Sequence, residues 1–176
     1  IIRETHGAAE VELLGERHVV QQRQVDLEVL FHHVEVALGA RDRIAGVETG
    51  LLQRVENPLP FLPGLEACTI LERNSEGLLR ELDFGPATLR DHVTMAEAQW
   101  VRFDIVPSTT SAGGSLTINI EEPQPGFLFL RFAYRTALAS DPEERAYVEY
   151  IKSAYHQSDV DCVRIIRTLA ATTTPQ

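Results

Sequence analysis

Arg80 and Asp91 flank a segment that folds back on Gly85-Pro86. A two-residue loop with glycine first suits a type II′ hairpin turn. That register sets Leu78 opposite Val93, Arg80 opposite Asp91 and Leu82 opposite Leu89 on one face. Glu81 then meets Arg90, and Leu79 meets His92, on the other. The first face is otherwise apolar, so Arg80 and Asp91 form a charge pair on an apolar wall. Such a pair either orients a ligand carboxylate or carbonyl through Arg80, with Asp91 holding the guanidinium, or it is a structural ion pair at the edge of the core. Tyr134, Tyr147 and Tyr155 are the other candidates, since a phenol in a cavity can hydrogen-bond a ligand oxygen. His32, His33 and Glu35 are metal-ligating types, but on a strand His32 points away from the other two and no third ligand lies near. We therefore expect no metal and no cofactor. His92 and His156 could each act as a general base, or simply be solvated. Gly113-Gly114 reads as a hairpin turn, and no phosphate loop, nucleophile elbow or HExxH motif is present.

The elements that must position these residues follow from periodicity. Residues 29–36 are apolar and β-branched enough for a strand. A helix over 42–56 ends at Asn57-Pro58, because a residue before proline avoids the helical region. Six runs follow at about ten-residue spacing, over 67–73, 78–84, 87–94, 99–106, 115–121 and 127–135, each closed by turn residues. That pattern predicts an antiparallel meander. For the last hairpin we expect Leu116 beside Phe132, Ile118 beside Leu130 and Ile120 beside Leu128. Residues 142–171 hold a helical period, with Tyr147, Ile151, Ala154, Tyr155, Ser158, Cys162, Ile165, Ile166 and Leu169 on one stripe. Residues 8–24 could form a weak amphipathic helix.

The order of elements gives an α+β fold, a curved sheet of about seven strands gripping a long C-terminal helix, with a ligand space between them. Its apolar lining is expected to be Leu82, Leu89, Phe103, Leu116, Ile118, Leu130, Phe132 and Ile151, with Phe84 as further bulk. Its polar points are expected at Arg80, Asp91, Tyr134, Tyr147 and Tyr155.

Composition narrows the function. The chain has 176 residues with a formal charge of −10, of which 15 acidic and nine basic residues fall in 1–90. An acidic surface repels phosphate backbones and anionic lipid, so nucleic acid is a poor partner. No apolar run approaches the roughly 20 residues of a membrane helix. Two cysteines, Cys68 and Cys162, make no disulfide framework, which points to a cytoplasmic protein.

The segments Glu56-Asn57-Pro58, Pro60-Phe61-Leu62-Pro63-Gly64-Leu65, Cys68-Thr69-Ile70-Leu71-Glu72-Arg73, Arg80-Glu81-Leu82, Gly113-Gly114-Ser115-Leu116-Thr117, Ile120-Glu121-Glu122-Pro123, Leu130-Arg131-Phe132 and Lys152-Ser153-Ala154-Tyr155 resemble, in order, the AtaL-like family. That family lies in the START/SRPBCC helix-grip superfamily, with pollen-allergen-like proteins and polyketide cyclases. The resemblance covers about residues 43–170 and implies the helix-grip fold and an internal cavity for an apolar small molecule. It implies no particular reaction. Residues 1–28 fall outside it, and Val47-Glu48-Thr49-Gly50 departs from the expected apolar-aromatic residue followed by Arg and Gly. The expected organisation is an extension over 1–28, one helix-grip domain over 29–172 and a tail over 173–176. Three functions stay open. The first is binding of a lipid-like or polyketide-like metabolite. The second is a cyclase or aromatase using Arg80, Asp91, Tyr134 or Tyr155. The third is a non-catalytic homodimeric interaction protein.

Overall fold

A computed structural model describes residues 27–36, 43–109, 111–137 and 145–173. Side chains at 27–36, 43, 136–137, 145–148 and 172–173 are outside that description. The proposed helix over 8–24 and the start of the C-terminal helix at Pro142 lie outside the described residues.

The described elements, in chain order, are β1 (Leu27–Val36), α1 (Arg43–Glu56), β2 (Ala67–Asn74), β3 (Gly77–Asp83), β4 (Thr88–Ala96), β5 (Trp100–Ile105), β6 (Gly114–Gln124), β7 (Phe127–Ala137) and α2 (Arg145–Thr173). Seven strands form one sheet in the order β1-β7-β6-β5-β4-β3-β2, each pair antiparallel. The first strand thus closes onto the last, and the meander between them supplies the curved wall. This is the helix-grip arrangement expected from the sequence.

Alternation builds that wall. β3 buries Leu78, Arg80 and Leu82, and β4 buries Asp91 and Val93, each at every second residue. Their register is the one the Gly85-Pro86 turn dictates, with Arg80 opposite Asp91. Gly85 takes φ +80°, which favours glycine, and Phe84 N–H donates to Ala87 O at 2.9 Å to close the turn.

The last hairpin departs from expectation by two residues. Leu116 faces Tyr134, Ile118 faces Phe132 and Ile120 faces Leu130. The strands run on through Glu122-Pro123-Gln124 to a tight turn at Pro125-Gly126, and a register irregularity between Glu121 and Gln124 absorbs the proline. A shift of two preserves the alternation, so the same side chains still face inward.

The helices cover one face. α1 buries Val47, Gly50, Leu51, Arg54 and Val55, and α2 buries Asp159, Cys162, Val163 and Ile166. These apolar residues join one core with Phe61, Leu78, Val93, Val101, Phe103, Ile118, Leu128, Leu130 and Phe132. The two helices meet closely at Gly50, where an added Cβ would lie 2.8 Å from two Ile166 carbons. Most of the expected α2 stripe faces inward: Cys162 and Ile166 lie in the core, and Tyr155, Ile165 and Leu169 pack against it. Ala154 is exposed and Ile151 and Ile165 are half-buried, while Asp159 and Val163 are buried. Asp159 extends the inward face on the side of Val163, a charge on an otherwise apolar stripe.

Candidate functional site

A cavity of about 220 Å³ opens between the sheet, the end of α1 and the first half of α2. It lies at one end of the sheet. The β3–β4 turn brings Leu82, Phe84, Leu89 and Asp91, the β5–β6 connection brings Phe103, Ile105, Ser115 and Leu116, and β7 brings Tyr134 and Arg135. α1 contributes Arg54, and α2 contributes Tyr155 and Ser158. Residues toward the turns, such as Leu89 and Arg90, are half-buried or exposed, whereas Arg54, Arg80, Phe103 and Tyr134 are buried. The cavity therefore deepens from the strand ends toward the helices.

Of the expected lining, Arg80, Leu82, Leu89, Asp91, Phe103, Leu116, Tyr134 and Tyr155 face the cavity. Ile118, Leu130 and Phe132 do not: each is fully buried in the core beyond it. Side chains of both helices join Ile118, Leu130 and Phe132 in one core, so the larger space lies toward one end of the sheet. Ile151 is half-buried and not part of the lining, and the side chain of Tyr147 is outside the described residues. The side chains of His32, His33 and Glu35 are outside it too. His92 and His156 are exposed and away from the cavity.

Arg80 is 1% exposed and its donors are committed. Nε and Nη2 donate to the two Asp91 oxygens at 2.9 and 2.6 Å. Nη1 donates to Arg54 O at 3.2 Å and to Val55 O at 2.8 Å, carbonyls in the last turn of α1. A helix leaves its last carbonyls without intrahelical partners. Arg80 satisfies two of them and locks α1 to the β3–β4 wall. This bidentate, saturated geometry is that of a scaffold.

Arg54 presents the opposite case. It is 6% exposed, lines the cavity, and its Nη1 finds no hydrogen-bond acceptor. Its guanidinium carbon lies 5.5 Å from the Phe103 ring centre and 5.9 Å from that of Phe61, so two aromatic faces hold the cation. Tyr134 OH donates to Asp159 Oδ1 at 2.5 Å, and the Tyr155 ring stacks on Tyr134 at 4.4 Å, 1° from parallel. Burial first, then the Asp159 charge, pushes the Tyr134 phenol far above its usual 10.0. It stays protonated at neutral pH. Burial likewise raises the Cys162 thiol, against the pull of the nearby Arg54 cation.

Sequence reasoning missed Arg54 and Asp159. A signal existed for both. Arg54 falls seven residues after Val47 and four after Gly50, and Asp159 falls four after Tyr155 and seven before Ile166. Each is a charge on the inner stripe of its helix.

A family model described as acetylaranotin biosynthesis cluster protein L, AtaL, matches residues 45–173. No curated protein matches the chain. Among solved structures, norcoclaurine synthase from Thalictrum flavum, in complex with dopamine and hydroxybenzaldehyde, aligns with a TM-score of 0.59 at 16% identity, over 96% of this chain and 100% of that one. The Zhui aromatase/cyclase from Streptomyces sp. R1128 aligns with a TM-score of 0.57 at 14% identity, over 83% of this chain and 94% of that one. Ara h 8.0201 aligns with a TM-score of 0.58 at 12% identity, over 84% and 100%. At these identities the likeness shows a shared fold.

Proposed function

Since the chain belongs to the AtaL family, we propose that it binds a small, largely apolar metabolite with one oxygen-bearing end in the cavity between the sheet and its helices. The carrying observation is the cavity itself: about 220 Å³, walled by Leu82, Leu89, Phe103, Ile105 and Leu116, with few polar groups converging on it. A dry apolar cavity of about 150 Å³ already takes benzene, so this one has room for a larger body. The working unit is the helix-grip domain of 29–172, with 1–28 as an extension. Two unbonded cysteines, Cys68 half-buried and Cys162 buried, suit a reducing, cytoplasmic setting.

A second reading, a cyclase or aromatase, is favoured by one feature. Tyr134 and Asp159 form a buried phenol–carboxylate pair beside the cavity, and such a pair can hold or pass a proton at a ligand oxygen. Structures of the same fold carry such names, an aromatase/cyclase and norcoclaurine synthase among them.

The test is titration with N-phenyl-1-naphthylamine, a neutral apolar fluorophore. Saturable one-to-one binding is expected, lost in Leu116→Trp, which fills the cavity, while circular dichroism stays that of a folded protein. A folded wild type that takes up no probe would overturn the reading. Native mass spectrometry of freshly purified protein would identify a co-purified molecule. Conversion of that molecule by wild type but not by Tyr134→Phe would favour the enzyme.

A further inference from the structure

We infer that Arg54 is an anion anchor, and that the cavity selects apolar ligands ending in a carboxylate. The inference rests on the cavity-binding reading and adds the ligand's charge to it. A buried guanidinium with an unpartnered N–H is costly to keep, because a buried donor without an acceptor forfeits its hydration. Among the described residues few buried side-chain donors lack a partner, and Arg80, the neighbouring guanidinium, is the clearest case of a committed one. Arg54 lines a cavity whose surface is mostly apolar, and its Nη1 is a buried donor without an acceptor.

Charge points the same way. The protein carries a formal −10, yet the cavity is lined by four arginines, Arg54, Arg80, Arg90 and Arg135, and one carboxylate, Asp91. Arg80 and Asp91 cancel, and Arg90, at the exposed end, pairs with Glu81 at 2.8 Å. Arg135 is exposed at the same end. Asp159, which accepts the Tyr134 phenol's hydrogen bond, is buried and not part of the cavity lining. A positive funnel in an acidic protein raises the local concentration of anions and aims them inward. A carboxylate placed between Arg54 and the two stacked tyrosines would accept a charge-assisted hydrogen bond from the Arg54 guanidinium. Its apolar body would lie against Leu82, Leu89 and Leu116.

The experiment compares 2-naphthoate with its methyl ester, which has the same ring and no charge. Wild type is expected to bind the acid about tenfold or more tighter than the ester, the worth of a hydrogen bond to a charged group. Arg54→Met should abolish that preference and leave ester affinity within about twofold. Should it fail to fold, the acid-to-ester ratio of wild type, with its loss in Arg54→Gln, decides alone. Equal binding of acid and ester by wild type, or an acid preference that persists in a folded Arg54 variant, would overturn the anchor while leaving the cavity in place. Binding of neither ligand by folded wild type would overturn both.

Discussion

Two arginines face the same Phe103 ring from different elements, Arg80 on β3 with its guanidinium carbon at 5.1 Å and Arg54 on α1 at 5.5 Å. Both are buried. Arg80 donates to a carboxylate and to two carbonyls, while Arg54 keeps a donor without an acceptor. Burial and residue type are therefore poor guides to role, and the count of satisfied donors is a better one. The two are also connected. Arg80 grips the Arg54 carbonyl, so the saturated arginine fixes the backbone from which the unsaturated one projects.

The comparison breaks hardest at Arg80. Arg80→Met should destabilise the protein by about 3–5 kcal/mol, since it leaves Asp91 as an uncompensated buried charge and frees the last turn of α1. The double variant Arg80→Met/Asp91→Leu should recover much of that loss in urea denaturation. If Arg80→Met leaves stability unchanged, the scaffold role is wrong.

A middle effect is expected at Tyr134. Tyr134→Phe leaves Asp159 without the phenol's hydrogen bond and should cost about 1–3 kcal/mol. The pH dependence has a definite sign. The phenol's value is raised in the folded state, so its stabilisation is complete below the unfolded value of 10.0 and declines as pH rises above it. There the unfolded chain releases a proton that the folded chain keeps. The wild type should lose stability with each step above pH 10 faster than Tyr134→Phe, as read by thermal melts from pH 9 to 11. Identical alkaline slopes would remove the buried phenol from the account.

The smallest effect is expected at an exposed pair. Arg73 donates to both Glu56 oxygens at 2.9 and 2.7 Å, a geometry as good as that of Arg80 and Asp91. Its side chains are 55% and 42% exposed, however, so solvent screens the attraction. Arg73→Ala should leave the urea midpoint close to that of wild type. A cost matching that of Arg80→Met would mean geometry, not burial, sets the energy of these pairs.

Much of the fold was legible in local pattern. Alternation marked the six strands of the meander, and Gly85-Pro86 marked the register that sets Arg80 opposite Asp91. The α2 stripe was legible in period and largely in phase, with Cys162 and Ile166 in the core and Tyr155, Ile165 and Leu169 against it. Ala154 was assigned inward on spacing alone, and the structure turns it outward while burying Val163. The two-residue slip at the β6–β7 hairpin has the same origin, since Pro123 and Pro125 permit two loop lengths with the same alternation.

The sequence by itself determined the secondary structure, the antiparallel order and the inward face of each strand, because those follow from contacts between near neighbours. The tertiary structure alone decided which inward residues line a space and which fill the core. Leu116 and Ile118 are two residues apart on one face of β6, yet one borders the cavity and the other is sealed beneath the helices. Only the docking of α1 and α2 at Gly50 and Ile166 separates them. The same docking carries Arg54 and Asp159, from helices about a hundred residues apart in the chain, close enough to Tyr134 and Cys162 that both charges act on their protons. Whether a charge on a helix stripe is an error, a bridge or an anchor depends on what faces it. That is a property of pairs of elements, which no single element's pattern contains.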